Sequence, residues 1–196
     1  ASLHEGALPI VLGGDHSLGA GSVAATATWM RSRSQPLGLI WVDAHADIND
    51  EMFGEPVAHG TPFRRAVEEG LLACDKVWQI GLRGTGYSAE DFDWPRQQGF
   101  TVVPAHEVWW QSLAPLMADI RARIGPDTPT YLSFDIDGID PAYAGGTGTP
   151  EIGGLNVVHC GSMRSDRVHH PIPADPRVAG HAVRTVPQRV VVPQNV

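Results

Sequence analysis

The sequence alternates apolar, β-prone runs with segments of helix length, and this order restricts the fold more than any other feature. Continuous apolar runs separated by helices are typical of a parallel sheet that is covered on both faces. Strands are predicted at residues 8–14, 37–44, 76–83, 99–105 and 130–140, and helices at 17–33, 61–72 and 112–124. We therefore expect an α/β fold with three layers, α/β/α, and a mainly parallel sheet. In such sheets, functional side chains gather at the carboxyl ends of the strands.

The composition argues against several functional classes. The chain has 196 residues, a formal charge of −8 and no basic run longer than a pair, so we expect no nucleic-acid partner. No apolar run is long enough to cross a membrane, and no signal-peptide pattern precedes the first strand. The two cysteines are far apart and form no CxxC unit, which favours a reducing compartment, and we expect the cytoplasm. Residue 1 is Ala rather than Met, which suggests that the sequence starts inside a longer protein.

Ionisable side chains follow three of the predicted strands. The first strand runs into GGDHS, the second into DAHAD and the fifth into FDIDGID. Side chains two apart on an extended chain point the same way, so we expect Asp43, His45 and Asp47 to share one direction, as do Asp135 and Asp137. Carboxylates collected at the dry end of a sheet lose hydration and repel one another, which is unfavourable unless a cation compensates. The pattern therefore indicates two divalent metal ions.

The donor types favour Mn²⁺. Carboxylates can bridge two ions while an imidazole adds a neutral ligand, and such oxygen-rich sites suit Mn²⁺, with Fe²⁺, Co²⁺ or Zn²⁺ as alternatives. The motifs contain no thiolate, which argues against structural zinc. Two ions at about 3.5–4 Å would hold a hydroxide nucleophile at neutral pH. Asp15 is interpreted as a turn residue or as an orienter of His16, because a lone Asp after a strand is usually a cap or turn residue.

Two other sequence features have simpler interpretations. The glycine-rich segment 145–154 lacks the strand–GxxxxGK[ST]–helix pattern, so nucleotide binding is rejected. Its glycines are expected to let the backbone approach the metal site closely. Trp109 and Trp110 are interpreted as core or subunit-contact residues.

The motifs GGDHS, DAHAD and SFDIDGIDPAYAGGTGTPEIGGL resemble, in order and spacing, those of the ureohydrolase superfamily, which comprises the arginases and agmatinases. The resemblance covers residues 8–155 and implies an arginase-like fold, two Mn²⁺ ions and hydrolysis of a guanidino compound to urea and an amine. The family pattern implies that His16, Asp43, Asp47 and Asp135 bind one ion and that Asp43, His45, Asp135 and Asp137 bind the other. His59 matches the histidine to which the family's proton transfer is attributed. The family also implies a homo-oligomer, either a trimer or a hexamer.

The substrate is predicted from the segments DAHADINDEMFGEPVAHGTPFRRAVEEGLL and QIGLRGTGYSAEDFDW, which look most like the guanidinobutyrase branch. We expect 4-guanidinobutanoate, with agmatine as the alternative and arginine and 3-guanidinopropanoate behind it. Asn49 resembles a family position near the substrate, and Met52 is expected to contact an aliphatic chain. A substrate carboxylate would need a donor, for which Arg83 and a backbone N–H are both candidates.

Two parts of the chain depart from the family pattern. The family has a further strand and helices before GGDHS, so residues 1–155 are expected to be a catalytic domain that is truncated at its N-terminus, with an incomplete sheet. Residues 156–196 contain no Lys or Glu, are rich in Arg, His, Pro and Val, and show no capped helix. We expect this tail to be frame-shifted, disordered or fused from elsewhere, with a divergent natural tail as the alternative.

The tail also bears on function. It contains no counterpart of the family's Val-Glu-Val strand, whose glutamate is understood to hold the guanidinium of the substrate. A catalytically silent, metal-binding remnant is therefore the alternative function.

Overall fold

The computed structural model describes residues 10–31, 37–84 and 90–163, which form a parallel sheet with helices on both faces. The strands are β1 Leu37–Val42, β2 Leu72–Leu82, β3 Thr101–Pro104 and β4 Thr130–Phe134, in the order β3-β2-β1-β4. The α-helices are α1 Leu18–Arg31, α2 Pro62–Glu68, α3 Glu90–Gln97, α4 Ala114–Ile124, α5 Pro141–Ala144 and α6 Val157–Ser162. Short 3₁₀ turns cover Ala105–Glu107 and Ile136–Gly138. The predicted α/β fold with a parallel sheet is confirmed.

The central strand β1 shows why the sheet needs helices on both sides. All six of its residues are buried, so a one-sided alternation of apolar and polar residues would not suit this position. Leu39 and Trp41 belong to one core cluster with Phe63 of α2, whereas Ile40 and Val42 belong to a second cluster on the opposite face. Helix α1 adds to the first cluster and helix α4 to the second. These two clusters fill the spaces between the sheet and the helices on each of its faces.

The predicted elements differ from the observed ones mainly at their ends. Strand β2 is longer than predicted, whereas β4 ends before the aspartates that had been included in it. Helix α3 is not predicted by the sequence pattern, since Pro95 lies inside it and proline normally argues against a helix interior. No helix in the described part of the chain is long and apolar enough to span a membrane.

The predicted first strand is wrong in its described part. Residues 10–14 form no strand, and the side chains of Ile10, Val11 and Leu12 are 74%, 56% and 54% exposed. Apolar β-prone residues form a strand only when a neighbour supplies hydrogen bonds, and no described strand pairs with this segment. Strand β4 also has apolar side chains in contact with solvent. Leu132 and Phe134 are exposed, although the residues of β1 that pair with them are buried.

The segment after Leu155 corrects the expectation for the tail. The Asn156 side chain accepts hydrogen bonds from the backbone N–H groups of Val158 and His159, and the ring of His159 accepts one from the Asn156 N–H in return. This reciprocal capping box begins α6, so the prediction that no capped helix follows Leu155 is wrong here. The signal was missed because His takes the position that Glu or Gln usually fills. Residues 164–196 lie outside the described residues, and the expected shift of reading frame stays a prediction.

Candidate metal centre

Neighbouring strand ends bring the predicted ligands together. Asp43 directly follows β1 and Asp135 directly follows β4, and these two strands are adjacent and parallel. The Asp135 N–H donates to the Val42 carbonyl at 2.8 Å, which extends the sheet pairing to the first residue of the site. The turn before α1 brings His16 to the same edge. The carboxyl end of the sheet therefore collects acidic and imidazole groups from three distant parts of the sequence.

His16 lies among three carboxylates. Its Nδ1 atom is 2.7 Å from an oxygen of Asp47, 3.1 Å from one of Asp43 and 3.3 Å from one of Asp135. None of these approaches has regular hydrogen-bond geometry, although this nitrogen is buried. The three carboxylate oxygens thus approach this nitrogen without pairing with it as hydrogen-bond acceptors. In addition, donor atoms of His16, Asp43 and Asp47 all lie within 4.8 Å of one another, which suits one cation.

A second group of donors lies beside the first. His45 Nδ1 is 3.1 Å from an oxygen of Asp137 and 3.6 Å from one of Asp43, and donor atoms of these three residues also lie within 4.8 Å of one another. Asp43 belongs to both groups. It is 1% exposed, with one oxygen 3.1 Å from His16 Nδ1 and the other 3.6 Å from His45 Nδ1. The arrangement can hold two cations that share one carboxylate.

Backbone N–H groups fix one oxygen of each central carboxylate. The N–H of His45 donates to Asp43 at 2.7 Å, that of Ala44 to Asp137 at 3.2 Å, and that of Asp137 to Asp135 at 3.1 Å. Each carboxylate is thereby held in one orientation while its second oxygen remains directed at the site. Orienting contacts of this kind are typical of metal ligands.

The electrostatics show that the site requires positive charge. Burial opposes protonation of His16, but the adjacent Asp43 and Asp47 outweigh burial and raise the pKa of its imidazole to about 11. Asp137 and Asp43 likewise raise the pKa of His45 to about 11. Burial and the Asp43 charge raise the pKa of Asp47 to about 7 and that of Asp135 to about 6. Without metal, protons compensate the carboxylates, and bound divalent ions would replace those protons.

The DAHAD segment is not an extended strand. The prediction that Asp43, His45 and Asp47 share one direction because they alternate along a strand is therefore wrong. Strand β1 ends at Val42, a bend follows at Ala44 and His45, and Asp47 has a φ of 43°. A left-handed backbone at a non-glycine residue is strained and tends to occur at functional sites. The bend sends His45 to one donor group and Asp47 to the other, with Asp43 between them.

Comparisons with known proteins agree with this geometry. A model of the arginase family matches residues 1–164. The chain belongs to the arginase family. It is 60% identical over 156 residues to a guanidinobutyrase of Pseudomonas aeruginosa, covering 80% of this chain and 47% of that protein. It is 53% identical over 151 residues to a mitochondrial agmatinase of Gallus gallus, covering 77% and 43%. The chain thus spans about half the length of the curated relatives it matches.

Solved structures give the same family. The proclavaminate amidino hydrolase of Streptomyces clavuligerus superimposes with a TM-score of 0.67 at 38% identity, covering 77% of this chain and 48% of that one. An arginase of Bacillus cereus gives a TM-score of 0.66 at 33% identity, covering 78% and 55%. The sheet and its flanking helices therefore have the arginase-family fold.

Three residues that orient the candidate ligands of this arginase-family site were not predicted. Trp41 donates its indole N–H to Asp43 at 2.9 Å, and Ser133 bonds to His16 Nε2 at 2.9 Å. Thr149 donates to Asp137 at 3.0 Å. Trp41 and Ser133 each lie two residues before a site aspartate, so the period of two along a strand could have identified both. Thr149 comes from a loop and has no comparable signal.

The loop 48–60 holds the predicted substrate residues. Asn49 bonds to the Gly60 carbonyl through both its backbone N–H and its side-chain amide, at 2.9 and 3.0 Å. Met52 is 8% exposed and packs over Gly60, whereas the neighbouring Phe53 is 86% exposed. Asn49 and Met52 therefore close the loop on itself, and Phe53 presents the open apolar surface.

Two further aspartates have structural contacts. The Asp140 carboxylate accepts backbone N–H groups of Ala142, Gly153 and Gly154, which hold the pKa of this carboxyl below its usual range. The Asp15 carboxylate accepts the Ser17 N–H at 3.0 Å, in agreement with its interpretation as a turn residue.

Arg83 is not a donor for a substrate carboxylate, because backbone carbonyls already occupy its guanidinium. Its N–H groups donate to the carbonyls of Gly81, Asp137, Gly138, Ile139, Glu151 and Ile152 at 2.6–3.3 Å. The side chain thus joins the end of β2, the turn that carries Asp137 and the loop that carries Glu151. We call this set of contacts the Arg83 clamp.

Replacing Arg83 by Lys is expected to lower the free energy of unfolding by roughly 2–3 kcal/mol. A lysine ammonium cannot reproduce the planar fork, so several half-buried carbonyls lose their donor. Equilibrium unfolding in a chemical denaturant, followed by circular dichroism, measures the change. Arg96→Lys is the matched control, since Arg96 is about half exposed. Equal stabilities of the two variants would show that the Arg83 clamp contributes nothing specific.

Proposed function

We propose that the chain carries a binuclear Mn²⁺ site and that its chemistry is the hydrolysis of a guanidino compound to urea and an amine. The observation that carries this proposal is the pair of donor groups sharing the buried Asp43. Because Asp43 belongs to both donor groups, its carboxylate could bind one cation on each side. Family membership and the activities for which the relatives are named support the same reaction class.

The proposed ligands match the preferences of a hard divalent ion. One ion would be held by His16, Asp43, Asp47 and Asp135, and the other by Asp43, His45, Asp135 and Asp137. The four carboxylates supply oxygen and each histidine supplies one nitrogen, a donor set that suits Mn²⁺. When bound, the two ions would lower the pKa of water and so supply a nucleophile for the guanidinium carbon, which is a poor electrophile.

Other residues would position the substrate and move protons. His59 is partly buried, lies 6.0 Å from the Phe53 ring between ring centroids, and is proposed to protonate the departing amine. The exposed Phe53, together with Asn49 and Met52 of the same loop, would contact the aliphatic part of the substrate. Because the Arg83 guanidinium is occupied, a substrate carboxylate would take its hydrogen bonds from backbone N–H groups.

The preferred substrate is 4-guanidinobutanoate. Its support is the 60% identity to a guanidinobutyrase, compared with 53% to an agmatinase and 46% to a guanidinopropionase. Agmatine and arginine are the alternatives. A catalytically silent, metal-binding chain is the second candidate function, and the feature in its favour is that residues 156–196 contain no Val-Glu-Val sequence.

Urea release tests the proposal directly. The purified 196-residue chain, loaded with Mn²⁺, is expected to release urea faster from 4-guanidinobutanoate than from agmatine, arginine or 3-guanidinopropanoate. Manganese content per chain is measured on the same sample. Urea release with two bound ions supports the enzyme. Two bound ions without urea from any substrate would support the silent metal-binding chain, and absence of bound metal would contradict the site itself.

The assembly and location of the chain are also proposed. We infer a homo-oligomer, a trimer or a hexamer, because the family pattern implies one. The cytoplasm is proposed as its location, since both Cys74 and Cys160 are free thiols.

A further inference from the structure

Glu151 faces the side of His45 that points away from the two donor groups. Nδ1 of His45 lies toward Asp137 and Asp43, whereas its Nε2 lies 3.8 Å from a carboxylate oxygen of Glu151. A neutral imidazole has one nitrogen that donates and one that accepts, so the group beside Nε2 decides which nitrogen carries the proton. The 3.8 Å separation is an electrostatic contact rather than a hydrogen bond, and hydrogen bonds in active sites are often long in ligand-free structures.

The surroundings of Glu151 place its carboxylate at this position. The Arg83 clamp donates to the Glu151 carbonyl at 2.7 and 3.2 Å, which fixes the backbone. Gly84 leaves the space for the side chain, because a Cβ at that position would lie 2.5 Å from Glu151 Cδ. The side chain is 27% exposed, so it is held at the edge of the site rather than extended into solvent.

Other carboxylates near the site are already engaged. Asp140 accepts three backbone N–H groups, Asp15 accepts from Ser17, and Asp50 pairs with Arg65. The Glu151 carboxylate, by contrast, makes its ion-pair contact within 4.0 Å with His45, among the residues that the structure describes.

We propose that Glu151 is a positioning residue that accepts the Nε2–H of His45 and thereby leaves the Nδ1 lone pair free for a metal ion. The inference rests on the proposed metal centre and adds to it an outer carboxylate, Glu151, which lies within a quoted motif but is not one of the predicted ligands. A carboxylate behind a metal-binding histidine fixes the tautomer and the ring orientation, and its loss typically weakens metal binding about 10–100-fold.

The test compares Glu151→Gln with the wild-type 196-residue chain by calorimetric titration with Mn²⁺. One of the two binding events is expected to weaken by about 10–100-fold, because the neutral amide is a poorer acceptor for the Nε2–H. Glu55→Gln is the matched control, since it removes an equal charge from an exposed side chain in the loop 48–60. The Arg83 clamp contacts the Glu151 backbone, which the substitution retains, and thermal unfolding of the metal-free variant checks the fold.

A second measurement reports the tautomer itself. The protein is labelled with ¹⁵N-histidine, loaded with Zn²⁺ and studied by NMR, and the His45 Nε2–H signal is assigned by its absence from a His45→Gln variant. The signal is expected at the same position in wild type and Glu55→Gln, and at a shifted position in Glu151→Gln. Unchanged Mn²⁺ affinity in Glu151→Gln, or equal weakening in Glu55→Gln, would overturn the role of Glu151 while leaving the metal centre intact. A wild-type chain that binds no Mn²⁺ would overturn the metal centre and this inference together.

Discussion

Replacing Asp43 by Asn is expected to remove both Mn²⁺ ions from the chain. Asp43 is the residue common to both donor groups, and an amide cannot bridge two cations as a carboxylate does. The loss in affinity is expected to exceed the roughly 100-fold that loss of an outer hydrogen-bonding partner can cause. Metal content per chain after dialysis, measured by elemental analysis, shows the change. Asn rather than Ala is chosen because it keeps the volume of a buried side chain.

The fold of this variant is expected to survive at reduced stability. Asp43 accepts hydrogen bonds from the Trp41 indole and the His45 N–H, and Asn cannot satisfy both donors, which costs about 1–3 kcal/mol. Asp50→Asn serves as the control, since Asp50 lies in the adjacent loop with its side chain 73% exposed, and it should keep two ions. A variant of Asp43 that retains one full equivalent of Mn²⁺ would show that Asp43 serves a single ion.

The convergence of the central residues was predictable because it follows from the sheet. Strands β1 and β4 each end in an aspartate, and parallel neighbours bring those ends to the same edge. That rule needs only the apolar runs and the acidic residues after them. It placed Asp43 and Asp135 together without knowledge of any loop, and the structure brings them to a common neighbour, His16.

The surroundings of the site were less predictable because they depend on chain segments without a repeating pattern. The Arg83 clamp joins carbonyls from three segments, and no periodicity in the sequence relates residue 83 to residue 151. The bend after β1 likewise depends on the left-handed backbone of Asp47, a conformation that Asp tolerates better than most residues but that its presence alone does not predict. The first predicted strand fails for a related reason, since a strand needs a partner that composition cannot specify.

Replacing His59 by Ala is expected to leave both metal ions bound while lowering kcat for urea release by roughly 10²–10⁴-fold, the range for loss of a general acid. The hydrogen bonds from Asn49 to Gly60 fold the loop back on itself, so His59 returns to the neighbourhood of Asp47. Phe63, which follows closely, packs its ring against that of His16 at 5.2 Å between centroids. His59 is not one of the proposed ligands, which is why metal binding should be independent of it.

His106→Ala is the matched control for this experiment, because His106 is exposed and packs against Trp109. Manganese content, kcat and KM are compared for the two variants with 4-guanidinobutanoate. A general acid acts on the departing amine after the substrate is bound, so kcat should fall in the His59 variant while KM stays nearly constant. Loss of metal from His59→Ala would instead make His59 a ligand, and an unchanged kcat would assign the proton transfer to another group. A rise in KM at constant kcat would limit His59 to holding the substrate.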